Sequence, residues 1–117
     1  MTPTIVLKNN DVFLVTGSPG GSRIITTVTQ IISNVVDHHM NIAEASHAAR
    51  FHHQWLPDEL RIEPNGFSND TLKKLREKGH TIQTKRVMGS TQSIMKQNGA
   101  LYGASDPRTP SGLTLGY

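Results

Sequence analysis

Cysteine is absent from this sequence of 117 residues. That excludes disulfides, thiolate catalysis and zinc sites built on cysteine. Aromatic residues are scarce at 5%, and no run of Lys or Arg is laid out to track phosphates. A nucleic-acid partner is therefore not expected. No apolar stretch reaches the ~18 residues that a membrane helix needs, so no membrane span is expected. The residues after Met1 show neither a basic stretch nor an apolar core segment, and the expectation is a chain with no signal peptide of its own. Charge is modest: 12 Lys and Arg against 9 Asp and Glu give a formal +3. The six histidines contain no His-x-x-x-His or His-Glu-x-x-His spacing, so neither a metal nor another cofactor is expected.

What is present suits one globular domain. Apolar residues are 35% with ten glycines besides, near the average for folded chains. Thr4 to Lys8 and Val12 to Thr16 read as two strands joined at Asn9-Asn10-Asp11, residue types that tolerate left-handed backbone. Both runs are almost continuously apolar, which predicts a sheet covered on both faces with this hairpin at its centre. Gly17-Ser18-Pro19-Gly20-Gly21-Ser22 then breaks the pattern. After it, Ile24, Ile25, Val28, Ile31, Ile32, Val35 and Val36 form one stripe at helical period. All seven are β-branched, so packing against the sheet must hold this helix rather than intrinsic propensity.

Asn41 and Glu44 have capping-box spacing for a short helix over 42–48. Residues 50–57 have no clean period and predict an irregular segment packed by Phe51 and Trp55. Glu59 to Glu63 suits a strand. Ser68 caps a helix over 69–78, with Leu72 and Leu75 inward and Gly79 ending it. His80 to Lys85 suits a further strand. Thr91 to Lys96 and Ala100 to Ala104 flank Asn98-Gly99, a strong hairpin signal. The result is an α+β domain over 1–108 with a mostly antiparallel sheet, followed by a loosely ordered tail over 109–117.

Four groups of residues carry possible chemistry. The glycine-rich turn places backbone N–H groups at the positive end of a helix, where an anion or developing oxyanion can approach Gly20 and Gly21 closely. Its spacing is neither a phosphate-binding loop nor a dinucleotide fingerprint, and a plain strand-to-helix turn capped by Ser22 is the competing reading. A metal site from His47, His52 and Asp58 is weighed against surface and packing roles. Thr2, exposed by removal of Met1, is weighed as an amino-terminal nucleophile. Arg108 is weighed as a carboxylate clamp against a structural ion pair beside the Asp106-Pro107 turn; Arg50 and Arg61 face the same choice.

Five segments in order resemble the γ-glutamyltransferase (γ-glutamyltranspeptidase) family, and its bacterial members most. They are Met1 to Val6, Thr16 to Val28, Arg50 to Leu60, Met88 to Ile94 and Leu101 to Arg108. The resemblance implies an N-terminal-nucleophile hydrolase fold of αββα layers, of which this chain supplies part. It implies a precursor that cleaves itself into large and small subunits. The new N-terminal Thr would attack the γ-glutamyl amide of glutathione and pass the γ-glutamyl group to an amino acid, a peptide or water. This chain resembles the later part of the small subunit. The nucleophilic Thr, the Asn and Asp that hold the donor's amino group, and a Ser-Ser pair for its α-carboxylate would all lie upstream of Met1. Thr2 aligns with a non-catalytic Ser or Thr. The family likeness assigns the main-chain N–H groups of Gly20 and Gly21 to the oxyanion hole, in contact with substrate. It gives Arg50 and Arg108 roles in subunit contact or maturation.

The partners implied are the rest of the small subunit and the large subunit, with self-association of the isolated chain through an open sheet edge. The complete enzyme is expected in the periplasm or at the cell surface, and this chain in the cytoplasm if expressed by itself. Alone it is expected to be inactive. The alternatives are a non-catalytic remnant that binds a partner and a small anion-binding module built on the Gly20-Gly21 turn.

Overall fold

A computed structural model describes residues 3–116. Strands β1 (Thr4–Lys8) and β2 (Asp11–Gly17) form the first hairpin. Asn9 and Asn10 turn it with φ of 53° and 63°. A bulge between Val6 and Leu7 leaves Phe13 unpaired, which bends the strand. Helix α1 (Arg23–Val36) and helix α2 (Ile42–His47) follow. Next come β3 (Phe51–His52), β4 (Leu60–Ile62), α3 (Asn69–Glu77), β5 (Ile82–Thr84), β6 (Gln92–Gln97) and β7 (Ala100–Ser105).

The strands form two sheets. The larger has the order β1-β2-β6-β7 and is antiparallel throughout. The smaller has the order β3-β4-β5, with β4 and β5 parallel and α3 as the crossover between them. Asn98 and Gly99 close the β6–β7 hairpin with φ of 52° and 79°, the pair of left-handed residues that a two-residue turn between twisted strands requires. The Asn41–Glu44 capping box forms in both directions, each bond 2.9 Å.

One face of the larger sheet carries the core. Leu14 and Met95 from the sheet meet Ile31 and Val35 of α1 and Ile42 and Ala45 of α2. The opposite face is covered by described residues only at β7, where Thr114 of the tail lies against Gly103 and Ser105; toward β1 it is open. Ile5 is 58% exposed and Ile94 51%, and both lie in one row across the sheet with Val15. The described residues thus leave part of this face open, and β1 lies at the edge of the four strands they form. The helix stripe is narrower than the spacing predicts. Ile25 is 74% exposed and Val36 is exposed too, while Thr27 is buried in the contact face.

Residues 51–52 are likewise not irregular. They pair with β4, and Trp55, expected to pack inward, is 77% exposed. The tail returns to the sheet. Thr109 bonds Ser90, and Ser105 bonds Thr114. No described helix is long and apolar enough to cross a membrane.

Candidate functional site

The glycine-rich turn joins the buried end of β2 to the start of α1. Gly17 and Ser18 are buried; Pro19, Gly20 and Gly21 are exposed. Gly20 has φ +143° and Gly21 φ +59°, backbone that residues with a Cβ rarely adopt. Their carbonyls start the helix: Arg23 N–H donates to Gly20 O at 3.2 Å and Ile24 N–H to Gly21 O at 3.1 Å. Among the described residues no acceptor is recorded for the N–H of Gly20 or Gly21. No acidic side chain occupies the first turn of α1. A Cβ on Gly21 would meet nothing within 4 Å. The turn thus offers two adjacent main-chain donors, open on one side, at a positive helix end.

Ser22 does not cap α1. Its hydroxyl donates instead to Gln54 Oε1 at 2.8 Å. The same oxygen lies 2.9 Å from His52 Nε2, and His52 Nδ1 lies 2.8 Å from Thr26 Oγ1. Gln54 Oε1 only accepts, which assigns a His52 proton to Nε2; the Thr26 hydroxyl, with its one proton, lies within reach of both His52 Nδ1 and Arg23 O. This row ties the first turns of α1 to β3.

The turn is also held from behind. Ser18 Oγ accepts the Ser90 N–H at 2.9 Å and donates to Pro19 O at 2.8 Å. Gly89, at φ +75°, lies against it; a Cβ there would stand 2.7 Å from Ser18 Oγ and 3.0 Å from Thr27.

A second polar centre is buried beside it. Arg50 Nη2 lies 2.6 Å from Asp106 Oδ2, and Arg108 Nη1 lies 3.2 Å from Asp106 Oδ1. Arg108 also grips both oxygens of Glu63, Nε to Oε1 at 2.7 Å and Nη2 to Oε2. Arg50 donates further to Met88 O, Ser46 O and Thr91 Oγ1. Glu63 accepts the N–H groups of Arg50 and Met88, and Asp106 those of Thr91 and Arg108. Two cations thus face two anions.

Burial alone would raise the Glu63 carboxyl, but the hydrogen bonds from Arg108, Met88 and Arg50 outweigh it and hold the group below its ordinary value. Asp106 is lowered in the same way: burial opposes, and the N–H groups of Thr91 and Arg108 with Arg50 prevail. Burial lowers Arg50, against the pull of Asp106. Arg108 is raised, because Glu63 and Asp106 overcome its burial. Only Arg50 Nε lacks a partner among the buried side-chain atoms described.

Arg50 and Arg108 are therefore ion-paired structural residues: every N–H of Arg108 is engaged, and Arg50 is buried against Asp106, Met88, Ser46 and Thr91, so neither presents a free fork to a substrate carboxylate. Arg61 pairs with Glu59 at 2.6 Å. His47, His52 and Asp58 do not converge. His47 Nδ1 bonds Ala43 O, His52 is engaged as above, and Asp58 bonds His53 at 3.1 Å. Among the described residues no group of three or more His, Asp or Glu is placed to hold a metal. Thr2 lies outside the described residues. Sequence reasoning missed Glu63, which reads only as a strand end. It also missed Gly89-Ser90, whose contact with Ser18 spans 72 positions and leaves no local signal.

Known proteins resemble this chain throughout. A family model described as Gamma-glutamyltranspeptidase matches residues 1–115. The glutathione hydrolase proenzyme of Escherichia coli K12 is 63% identical over 118 residues, which cover 100% of this chain and 20% of that protein. The γ-glutamyltranspeptidase T380A mutant of Helicobacter pylori superposes with a TM-score of 0.89 at 60% identity, covering 93% of this chain and 61% of that one. The γ-glutamyltranspeptidase of Pseudomonas nitroreducens in complex with L-DON superposes with a TM-score of 0.89 at 37% identity, covering 100% and 62%. The chain spans about a fifth of the length of the curated relatives it matches. Its fold is accordingly part of the α+β, αββα-layered fold of the N-terminal-nucleophile hydrolases.

Proposed function

This chain belongs to the γ-glutamyltranspeptidase family, and from that premise we propose that it is the later part of the small subunit of an enzyme that cleaves the γ-glutamyl amide of glutathione. A threonine hydroxyl on polypeptide preceding this stretch attacks the γ-carbonyl carbon. The carbonyl oxygen becomes an oxyanion, received by the N–H groups of Gly20 and Gly21. Collapse of the tetrahedral intermediate expels the amine with a proton and leaves a γ-glutamyl ester. An amino acid, a peptide or water then takes the γ-glutamyl group and returns the hydroxyl proton.

The observation that carries this reading is the pair of adjacent N–H groups without a recorded acceptor at the start of α1. One such donor contributes about 2.7–4 kcal/mol of transition-state stabilisation. It acts only opposite a nucleophile, so the chain alone is inactive. The open side at Ile5 and Ile94 is the side on which the remaining small-subunit segment and the large subunit pack. The complete enzyme works in the periplasm or at the cell surface.

The test is a chimera in which this chain replaces the matching stretch of the Escherichia coli proenzyme. The chimera should mature and release p-nitroaniline from γ-glutamyl-p-nitroanilide, and the chain alone should not. Gly21→Ala in the chimera should lower kcat about 10- to 100-fold. Gly99→Ala, a left-handed glycine in the β6–β7 turn, should leave kcat unchanged. Turnover by the isolated chain, or equal activity in Gly21→Ala, overturns the proposal. By gel filtration the isolated chain should self-associate through its uncovered sheet.

A further inference from the structure

We propose that Ser18 is a positioning residue for acyl transfer, one half of a latch with Gly89-Ser90 that aims the Gly20 N–H; this rests on the oxyanion reading of the Gly20-Gly21 turn. The reasoning starts from the planarity of the peptide unit. A carbonyl oxygen and the N–H that follows it share one rigid plane and point in opposite directions. Whatever fixes the oxygen fixes the N–H. The turn contains two such planes. In the second, Gly20 O accepts the Arg23 N–H, so the start of α1 aims the Gly21 N–H. In the first, Pro19 O has no helical donor. It takes its bond from the Ser18 hydroxyl at 2.8 Å, so that hydroxyl aims the Gly20 N–H.

A serine hydroxyl has one proton and is free to rotate. Here its rotation is decided. Ser18 is fully buried, and its oxygen receives the Ser90 N–H at 2.9 Å. That occupies an acceptor site and leaves the hydroxyl proton for Pro19 O. The Ser90 N–H is itself held in place. Arg50 Nη1 binds Met88 O at 2.8 Å and Glu63 Oε1 binds the Met88 N–H at 3.0 Å. Met88 is thus pinned on both sides by the buried charge cluster. Gly89 then lets the chain pass within contact of Ser18, where a Cβ would stand 2.7 Å from Oγ. A continuous path runs from the charge cluster through Met88, Gly89, Ser90 and Ser18 to one of the two donors. The other donor does not depend on it.

The latch therefore predicts a partial loss, specific to the transition state. In the chimera, with rates taken per cleaved enzyme, Ser18→Ala should lower kcat on γ-glutamyl-p-nitroanilide about 10- to 100-fold with KM within about twofold. A γ-boronic acid analogue of glutamate, tetrahedral once bound to the nucleophile, should lose affinity by the same factor. Inhibition by glutamate should not change. Ser18→Cys keeps a weaker donor and acceptor at the position and should fall between. Where Ser18→Ala yields no folded enzyme, Ser18→Cys decides by the same criteria. A kcat within twofold of the parent, or equal losses for glutamate and the boronate, overturns the latch. Gly21→Ala separates the two proposals: if it lowers kcat while the Ser18 variants do not, the latch alone fails. If it leaves kcat unchanged, the oxyanion reading fails with it.

Discussion

The Gly20-Gly21 turn and the Arg50–Glu63–Asp106–Arg108 cluster are opposites built side by side. The turn is exposed and leaves N–H groups unspent. The cluster is buried and spends almost every donor and acceptor it has. An exposed N–H loses little by waiting, because water serves it. A buried charge without a partner costs several kcal/mol. The contrast separates them: the turn keeps main-chain donors open, and the cluster spends its own on joining the ends of β7 and β4 to α2 and to Met88. Met88 connects them, since the same groups that saturate the cluster pin the segment behind the turn.

The sharpest way to break this contrast is to open the cluster. Arg108→Ala removes three bonds to carboxylates and two to the carbonyls of Ser46 and Ala48. Glu63 keeps only main-chain donors in a buried setting. The expected loss is about 3–5 kcal/mol, read by urea unfolding of the chimera. Arg108→Lys should recover little, because an ammonium cannot bridge Glu63 and Asp106 with a planar fork. A loss below about 1 kcal/mol would mean that water already enters the cluster, in the manner of an exposed pair.

Acid should open it more gently. The folded-state carboxyls of Glu63 and Asp106 lie below their ordinary values. In the unfolded chain they bind protons near pH 4, so over that range the unfolded state holds more protons. Their contribution is complete above those unfolded values and is lost as pH falls through the folded ones. Unfolding midpoints measured from pH 7 downward should therefore drop steeply below about pH 4. Asp106→Asn, less stable at neutral pH, should show a shallower drop. Parallel curves for the two proteins would place the titration elsewhere.

Each region left a different trace in the sequence. The turn was legible because glycine and proline act locally: strand, Gly17 to Ser22, then helical period is a contiguous pattern. Both hairpins, the capping box at Asn41 and the Ser68 cap were legible for the same reason. The cluster was legible only in part. Arg50 and Arg108 already read as candidate ion-pair residues, Arg108 beside the Asp106-Pro107 turn, whereas Glu63 reads only as a strand end and only folding brings it within hydrogen-bond distance of both. The open sheet face misled in the other direction. Continuous apolar strands announce a covered sheet, but among the described residues Ile5 and Ile94 are left more than half exposed. Trp55 stands beyond the paired residues Phe51 and His52, at φ 73° and 77% exposed.

The smallest expected effect on stability belongs to the residue with a large expected effect on rate. Gly21 sits at φ +59° with nothing within 4 Å of an added Cβ. Gly21→Ala therefore meets no clash and bears only the left-handed backbone penalty, about 1–2 kcal/mol. Gly99, at φ +79° and also open, should lose a similar amount on the same substitution. The two glycines are thus matched in strain and differ in place. Measured side by side in the chimera, they should show equal shifts in unfolding midpoint and unequal shifts in kcat. An Ala at 21 that unfolds the enzyme far more than an Ala at 99 would show that the turn is structurally committed, and the contrast with the charge cluster would dissolve.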